Sequence, residues 1–535
     1  MRTSLKLLSP RWCPVHSSGK GTLVVSGTVL GCTEAVYSAT GITQIVSELS
    51  ALNGFYALIR EEPGRLVAAV DHIRSIPLFY GQANGELFLS DSAEWVRAQA
   101  GDREIDPVAA EEFQLAGYVT GSDTLFPNVK QIQAGECLVV TDDGSQIQQK
   151  TTRYYRFWHT EPDDFYEPDL RKSLHEVALA SMQRLIDYAD GRQIVVPLSG
   201  GYDSRLVVTL LRRLGCENIL TFSYGMPGNK ESQYSKRVAE ALDLPWYFVE
   251  YSEELWRELW HSAERWQYQK WASGWSSLSH IQDWPAVKAL KEQGVLEADC
   301  VFAPGHTGDF VSGGHIPLKA TQDVPVSHQD LTDAVLEKHY SLAPLKLVSK
   351  QPRSFWGNKI RSLSEYTAVK TSQDLANASE KWEWQERQAK YICNSIRVYE
   401  YFDYDWWLPL WDKKFVEFWE GVPLVLRVGR GWYINYVEEK FFSYSTSNKT
   451  RLKGNAARSN VAKTLIRNGA RQIPGGSFSY RLLKRIIGRK SHPLGFYGGH
   501  ESSSHKKLSE AGYTIFGLQA YDFLESLRED DILIE

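Results

Sequence analysis

The chain has 535 residues, which is enough for two or three domains with complete hydrophobic cores. Its net charge is -5, with both signs spread along the chain, so composition favours neither nucleic acid nor an anionic membrane as a partner. No run reaches the roughly 18 apolar residues of a membrane-spanning helix. The first residues also lack the apolar core of a signal peptide, and none of the six cysteines lies within a CxxC unit. A cytoplasmic protein with reduced cysteines is expected.

The first part of the chain predicts a β-rich domain, because short apolar segments alternate with turn signals such as Asn84-Gly85. The predicted strands are Thr22 to Leu30, Gly54 to Ile59, Leu66 to Asp71, Leu78 to Tyr80, Leu87 to Ser90 and Gly135 to Val140. Pro107 to Leu115 predicts a helix with Asp106 as its N-cap. The polar stretch from Thr141 to Arg153 is interpreted as a domain boundary, which divides the chain into domains 1–153 and 154–535.

After this stretch, predicted strands alternate with predicted helices. The strands are Gln193 to Leu198, Ile219 to Tyr224, Trp246 to Val249 and Cys300 to Ala303, and the helices are Leu206 to Leu214 and Glu231 to Leu242. This alternation predicts an α/β domain with a doubly wound parallel sheet. The region from about Tyr391 to Tyr433 is rich in tryptophan and tyrosine and predicts a mostly helical C-terminal part.

A glycine-rich loop, Ser199-Gly200-Gly201-Tyr202-Asp203-Ser204, follows the first of these strands. Parallel sheets bind ligands beyond the carboxyl ends of their strands, and paired glycines let backbone N–H groups approach an anion closely. The following helix adds its positive N-terminal end. Because a carboxylate would repel phosphate, Asp203 predicts Mg²⁺ between them. The alternative is a Gly-Gly turn, capped by serine and aspartate, that binds nothing.

A second glycine-rich loop, Pro304 to His315, follows the fourth predicted strand and carries one acidic residue, Asp309. In a doubly wound sheet two such loops can face one cleft. Asp203 and Asp309 would then form a carboxylate pair for one or two Mg²⁺ ions on a triphosphate. The alternative is that Asp309 only caps a helix.

These two loops, in this order, resemble those of the asparagine synthetase family, whose first loop is Ser-Gly-Gly-x-Asp-Ser. Asp405 to Asp412 is similar to a third motif of that family, Glu-x-Arg-x-Pro-Phe-Leu-Asp. Four stretches of the first part resemble its glutamine-hydrolysing domain: Leu52 to Ala57, Asp71 to Tyr80, Leu87 to Asp91 and Thr124 to Phe126. The resemblance covers nearly the whole chain.

The resemblance implies an Ntn-hydrolase-like β-sandwich followed by an ATP-pyrophosphatase domain of the adenine nucleotide α-hydrolase type. It implies a ligase that uses ATP and Mg²⁺: a carboxylate attacks the α-phosphate, pyrophosphate leaves, and an amine displaces AMP. Four groups of residues carry over: Ser199, Gly200, Gly201, Asp203 and Ser204 for pyrophosphate and Mg²⁺; Asp309 as the second metal ligand; Leu198, Phe222 and Gly305 around the nucleotide; and Lys449 or Lys453 at the leaving pyrophosphate.

The chain departs from the family pattern in two places. The family's glutaminase uses a cysteine directly after the initiator methionine, whereas Arg2 stands here and the nearest cysteine is Cys13. We therefore expect a degenerate glutaminase domain. In the second loop, His306 and Phe310 stand where asparagine synthetases have glutamates. His306 is either a base for an incoming amine or a hydrogen-bonding group, and both options argue against plain aspartate as the acceptor.

The sequence defines the acceptor acid less clearly than the ATP site. Among the tryptophans between the two loops, Trp271 and Trp275, together with His280, are the candidates for an acceptor pocket. The layout resembles homologues found with bacterial surface-polysaccharide genes, which implies amidation of a uronic acid with free ammonia or a partner glutaminase. A lasso-peptide or β-lactam type cyclase and a non-catalytic ATP-binding scaffold are the alternatives. Neither a nucleic-acid partner nor membrane insertion is expected.

Overall fold

The computed structural model describes residues 2–18, 21–142, 144, 146–322, 324–365, 368–444 and 492–532. Within these residues three sheets form from fifteen strands: β1 Thr3–Lys6, β2 Trp12–Ser18, β3 Gly21–Leu30, β4 Asn53–Glu62, β5 Arg65–Val70, β6 Phe79–Ala83, β7 Glu86–Ser90, β8 Lys130–Gln131, β9 Glu136–Asp142, β10 Ile147–Arg153, β11 Ile194–Pro197, β12 Ile219–Gly225, β13 Trp246–Glu250, β14 Val301–Phe302 and β15 Asp405–Trp406.

The first part forms two sheets, as the β-rich pattern predicts. Their strand orders are β1-β7-β6-β8 and β10-β9-β5-β4-β3-β2, and every pairing is antiparallel except that of β1 with β7. The central strands β4 and β5 are buried along almost their whole length, and residues of both sheets belong to one hydrophobic core. This arrangement confirms the predicted Ntn-type sandwich.

The predicted turn at Asn84-Gly85 has the backbone conformation expected of this sequence. Asn84 and Gly85, which connect β6 to β7, have φ values of 52° and 76°. Two successive positive φ values define the type I′ turn that suits a two-residue hairpin, and asparagine followed by glycine adopts it most readily. This short hairpin places β6 and β7 in the first sheet.

The polar stretch interpreted as a boundary is partly a strand, which corrects that interpretation. β10 pairs antiparallel with β9 along seven residues, from Ile147 opposite Asp142 to Arg153 opposite Glu136. Its side chains are polar because β10 lies at the edge of the six-stranded sheet, with mostly exposed residues. The division into domains 1–153 and 154–535 therefore follows the end of a sheet rather than a linker, and it remains a proposal.

The helices are α1 Thr33–Ser38, α2 Ile42–Ala51, α3 Ala93–Ala100, α4 Pro107–Ala116, α5 Glu167–Ala189, α6 Tyr202–Arg213, α7 Lys230–Ala241, α8 Glu253–Trp260, α9 Ala263–Ser273, α10 Trp284–Glu292, α11 Gly308–Val311, α12 His328–Lys338, α13 Leu345–Val348, α14 Arg353–Ser364, α15 Ser372–Trp382, α16 Arg397–Tyr401, α17 Lys413–Glu420, α18 Leu424–Arg427, α19 Gly431–Tyr444, α20 Ser503–Ala511 and α21 Ile515–Ile532. A π-helix spans Glu383–Ile392, and 3₁₀ turns occur at Leu318–Thr321, Cys393–Ile396, Pro409–Trp411, Val428–Arg430 and Phe496–Gly499.

The second part contains a five-stranded sheet of order β13-β12-β11-β14-β15, and every pairing in it is parallel. The predicted alternation of strands and helices is thus confirmed, with α6 after β11 and α7 after β12. β15 was not predicted, because its two residues lie in a segment whose composition indicates helix. It extends the sheet by pairing Asp405 and Trp406 with β14.

The C-terminal helix α21 returns to the first part of the chain. Phe523 on α21 stacks against Phe113 on α4, with ring centroids 5.5 Å apart. Helix α4 itself begins as predicted, since the Asp106 carboxylate accepts hydrogen bonds from the N–H groups of Val108 and Ala109. None of the helices in the described ranges combines the length and apolar character that crossing a bilayer requires.

Candidate active site

The first glycine-rich loop connects β11 directly to α6. The hydroxyl oxygens of Ser199 and Ser204 lie 3.2 Å apart, and the Gly201 N–H donates to the Ser199 hydroxyl over 3.2 Å. The N-cap residue of α6, a twelve-residue helix that begins at Tyr202, is Gly201, which has no side chain to bind the first N–H groups. Its first N–H groups therefore point toward the loop, which is the arrangement that binds anions.

The second loop contacts the first, and two glycines make this contact possible. A Cβ atom on Gly305 would lie 2.4 Å from the backbone nitrogen of Ser204, and one on Gly308 would lie 2.5 Å from Asp203 Oδ1. Any side chain at either position would collide with the first loop. The two carboxyl ends of the neighbouring strands β11 and β14 thus form one cleft.

Asp203 and Asp309 share this cleft with Arg430. The Arg430 guanidinium donates to Asp203 Oδ1 over 2.8 Å through Nη2 and to the Ser312 hydroxyl over 2.8 Å through Nε. Burial raises the pKa of Asp203; the Arg430 charge opposes this rise and the Asp309 charge adds to it. The carboxylates therefore repel each other across the cleft. Two such oxygen donors fit Mg²⁺, which prefers carboxylate ligands.

His315 supports Asp309. Its Nε2 lies 3.0 Å from Asp309 Oδ2, and its Nδ1 lies 2.6 Å from an oxygen of Glu383 at the start of the π-helix. Burial would raise the pKa of Asp309, but the hydrogen bond and the charge of His315 hold it below its usual range. The Glu383 carboxylate, which is 1% exposed, also contacts Lys338 and His339. Asp309 is therefore ionised and fixed in orientation.

His306 lies at the base of the same loop. Burial, and then the nearby charge of His280, lower its pKa to about 4, so its imidazole is neutral near pH 7. Its Nδ1 lies 3.1 Å from the Ser395 hydroxyl. The His280 ring lies 6.4 Å away, and its Nδ1 is 3.2 Å from a carboxylate oxygen of Asp283. A neutral imidazole is the form that accepts a proton.

Three other residues of the predicted site have core positions. Leu198 is 1% exposed, and Phe222 is fully buried against Phe302 and Tyr224. Phe310, the second departure from the family pattern, is also fully buried, and its ring centroid lies 4.8 Å from that of Phe157. Its side chain therefore packs inside the protein instead of facing the cleft.

The tryptophans proposed for an acceptor pocket differ in exposure. Trp271 is 51% exposed, whereas Trp275 is 3% exposed and packs against Phe126 and Phe523. Both line a cavity between the first part of the chain and α9. Lys449 and Lys453 lie outside the described residues.

Sequence reasoning missed Arg430, His315 and Glu383. His315 was visible as the end of the second loop, six residues after Asp309. Arg430 comes from the segment just before α19 and has a positive φ of 64°, next to Gly429 with a φ of 72°. Two successive left-handed residues indicate a sharp backbone reversal, and the Gly-Arg-Gly run from Gly429 to Gly431 was the only sequence signal for it.

Comparison with protein-family models identifies two matches. Residues 188–437 match the asparagine synthase model, and residues 33–155 match the glutamine amidotransferase domain model. The first model describes carbon–nitrogen ligases that use ATP and form AMP and pyrophosphate. The two matches support an asparagine synthetase-like family for this chain, and together they cover most of it.

Among solved structures, the chain is similar to glutamine phosphoribosylpyrophosphate amidotransferase from B. subtilis complexed with ADP and GMP. The identity is 12%, the alignment covers 55% of this chain and 63% of that chain, and the TM-score is 0.19. The allosteric regulatory enzyme of purine biosynthesis is matched at 14% identity over 55% of this chain and 56% of that chain, with a TM-score of 0.18. The chain thus spans less than two-thirds of either matched chain. No curated protein sequence matches it.

Proposed function

We propose that this protein is an ATP-dependent ligase that adenylates a carboxylic acid and then forms an amide with ammonia or an amine. The observation that carries this proposal is the contact between the two loops, which brings Asp203 and Asp309 to one cleft beyond neighbouring parallel strands. A phosphate-binding turn alone would need neither the second carboxylate nor the glycines that make room for it.

ATP would bind with its phosphates at the first loop. The uncapped N-terminus of α6 and the backbone of Gly200 and Gly201 suit the phosphate oxygens, and Ser199 and Ser204 add hydroxyl donors. Leu198, Phe222 and Gly305 would form the floor beside the nucleotide. Because Leu198 and Phe222 are buried, their role there is to shape this floor. Lys449 and Lys453 remain the proposed cations at the leaving pyrophosphate.

Asp203 and Asp309 would hold Mg²⁺, which when bound neutralises negative charge on the phosphates. The protein's own contribution is to fix these two carboxylates, Asp309 through His315 and Asp203 through Arg430. Arg430 also supplies a positive charge at the phosphate cleft, where the guanidinium fork matches phosphate geometry.

His306 is proposed as the base that takes a proton from the incoming amine. Its neutral state near pH 7 and its fixed orientation on Ser395 support this role. A second role, in which His306 only hydrogen-bonds the nucleotide, predicts a different pH profile. If His306 is a base, the rate rises with pH as the imidazolium of His306 loses its proton, whereas a group that only hydrogen-bonds the nucleotide does not produce this rise.

The nitrogen source is proposed to be free ammonia or a separate glutaminase. Cys13, the nearest cysteine, lies inside β2 opposite Val25, so its main-chain nitrogen belongs to a strand instead of a free terminus. The glutamine amidotransferase match supports glutamine as an indirect donor, through such a separate glutaminase. Purified protein incubated with glutamine should release no glutamate; release at the rate of amide formation would contradict this proposal.

For the acceptor we propose a uronic acid of a surface polysaccharide, acted on in the cytoplasm. Aromatic side chains such as Trp271 and Trp275 suit sugar rings, and the six free cysteines suit a reducing compartment. The alternatives are a cyclase that joins a carboxylate to an amine of the same peptide and a scaffold that binds ATP without chemistry. The ion-paired, oriented carboxylates favour an enzyme over a scaffold.

Acid-dependent exchange of labelled pyrophosphate into ATP separates these functions. We expect exchange with uronic acid sugars and none with short peptides or with aspartate. Exchange only with peptides would support the cyclase, and ATP binding without exchange for any acid would support the scaffold. Asp309→Asn should abolish the exchange, which would assign the signal to this cleft.

A further inference from the structure

A cavity of about 370 Å³ lies between the first part of the chain and the α9 region, apart from the loops that form the candidate active site. Gly27 and Arg74 line it from the first part, and Trp271, Trp275 and Arg397 line it from the second. This volume is within the range of small-molecule pockets, which often lie where two domains meet.

Arg74 is the unusual residue of this cavity. Its φ is 55°, a left-handed conformation that a non-glycine residue adopts at a cost of order 1 kcal/mol. Its side chain is 4% exposed, yet Nε and Nη2 have no hydrogen-bond partner in the described structure. Burial, and then the charge of Arg397, lower its pKa to about 9, so it is still a cation near pH 7.

Asp71, the neighbouring carboxylate, forms no ion pair with Arg74 within the described residues, although its charge partly offsets the fall in the Arg74 pKa. Its oxygens accept hydrogen bonds from the N–H groups of Tyr56, Ile73 and Ser75 and from the Ser75 hydroxyl. Within the described residues Arg74 forms no ion pair, and its guanidinium carbon lies 5.4 Å from the centre of the Phe79 ring. A buried cation without a counter-charge is costly unless a ligand supplies one.

The other charged residues around the cavity have partners. Arg397 pairs with Glu400 and donates to the Ser75 carbonyl, and Arg11 pairs with Asp405. The remaining pairings are Asp91 with the N–H groups of Leu8 and Ser9 and the Trp12 indole, Glu94 with Arg97, Asp403 with Lys291, and Lys270 with the Trp266 ring. Among the described residues that line the cavity, Arg74 is therefore the arginine without an acidic partner.

We propose that this cavity binds a small organic acid, with its oxyanion on the Arg74 guanidinium and its body against Trp271 and Trp275. A guanidinium binds carboxylate or phosphate through two parallel N–H donors, and aromatic walls suit a ring-shaped body. Among the described residues that line the cavity there is neither a cysteine nor a histidine. The site therefore offers its ligand neither a thiol nucleophile nor an imidazole base.

This inference assigns Trp271 and Trp275 to a separate site, so an acceptor adenylated at the ATP loops would have to contact other residues. It does not depend on the chemistry proposed at those loops. It gives the first part of the chain a function of its own, because Gly27, Thr28 and Arg74 belong to the sandwich. The wall also continues toward the candidate active site, since Asn394 lines the cavity and the next residue, Ser395, contacts His306.

Binding is tested on the full chain without ATP, by calorimetry and thermal shift. The probes are glucuronate, glutamate, glutamine and inorganic phosphate, with glucose as the neutral control. We expect at least one acid to bind and glucose not to bind. If only phosphate binds, the natural ligand carries a phosphate group. If only the carboxylates bind, the natural ligand is an organic carboxylic acid. Arg74→Asn, which tolerates the left-handed backbone without the charge, should weaken binding at least tenfold, whereas Arg74→Lys should weaken it less.

Both variants should fold, and Arg74→Asn should have the same thermal midpoint as the parent or a higher one, because an unpaired buried charge is removed. Arg60→Lys, at a buried arginine with carbonyl partners far from the cavity, is the control and should leave binding unchanged. No response to any acid, or equal binding by Arg74→Asn, would overturn the proposal. Hydrolysis of glutamine in the cavity would also overturn the proposed binding site. The pyrophosphate exchange test of the proposed ligase function does not depend on this result.

Discussion

Asp71 in the sandwich is fully buried and Asp203 in the first glycine-rich loop is 20% exposed, and the two carboxylates differ in their partners. Three backbone N–H groups and one hydroxyl satisfy Asp71, so it fixes a turn. Asp203 has one arginine partner, and the charge of Asp309 lies close enough to help raise its pKa. A carboxylate whose oxygens all accept hydrogen bonds stabilises structure, whereas a carboxylate close to a second one favours binding of a cation between them.

The largest effect on the reaction rate is expected from replacing the two carboxylates of the cleft. Asp203→Asn and Asp309→Asn should each lower the rate of AMP formation at least about 100-fold, because each removes a fixed charge at the phosphates. Asp203→Asn should change the free energy of unfolding little, because the variant loses the ion pair with Arg430 but also removes a carboxylate whose ionised form burial disfavours. Asp71→Asn is the matched control and should show the reverse: lower stability in urea and an unchanged rate per folded molecule.

The contact between the loops is the next target. Gly308→Ala places a methyl group 2.5 Å from Asp203 Oδ1 and should lower AMP formation at least about tenfold by separating the carboxylates. Gly41→Ala, where no atom lies within 4 Å of the added Cβ, is the control and should be neutral. If the two variants have equal activity, the loops do not need their close contact.

A substitution in the buried network around Glu112 tests whether the free energy of unfolding can fall without a change in the rate of AMP formation. Glu112, fully buried on α4, accepts hydrogen bonds from Thr120 and Tyr340 and pairs with Lys359 over 2.7 Å. Glu112→Gln should cost about 3 kcal/mol of unfolding free energy in urea, because Lys359 loses its counter-charge. AMP formation per folded molecule should be unchanged, and a parallel fall in activity would place Glu112 in the catalytic machinery.

A pH dependence of stability is expected from His306. Its pKa is about 4 in the folded chain and near 6.5 when unfolded, so the unfolded state binds more protons between these values. The stability that depends on neutral His306 is therefore full above about pH 6.5 and is lost as the pH falls toward 4. Between pH 7.5 and pH 5 the parent should lose about 2 kcal/mol more than His306→Asn, measured by urea unfolding. Equal losses would show that His306 is not buried as a neutral group.

Much of the fold was predictable from local patterns. The Asn84-Gly85 turn, the Asp106 cap and the alternation of β11, α6, β12 and α7 follow from short-range preferences that tertiary contacts do not override. The two-residue strand β15 and the polar edge strand β10 were missed, because each depends on a partner strand and not on its own composition.

The candidate site was predictable only in part. The convergence of two loops at the ends of parallel strands follows from topology, so the positions of Asp203 and Asp309 were within reach of the sequence. Arg430 lies 227 residues along the chain from Asp203, and only the fold brings their side chains together. Long-range partners of this kind carry no periodic signal, which is why the charge balance of the cleft required the structure.

The central claim is that the cleft between the two loops activates a carboxylic acid as an adenylate. Its most direct test uses Mg²⁺-ATP, ammonium and a uronic acid labelled with ¹⁸O in its carboxylate, with products read by mass spectrometry. We predict amide formation with AMP that carries one ¹⁸O atom, together with unlabelled pyrophosphate. Formation of ADP and labelled inorganic phosphate would contradict the claim, because the acid would then have attacked the γ-phosphate.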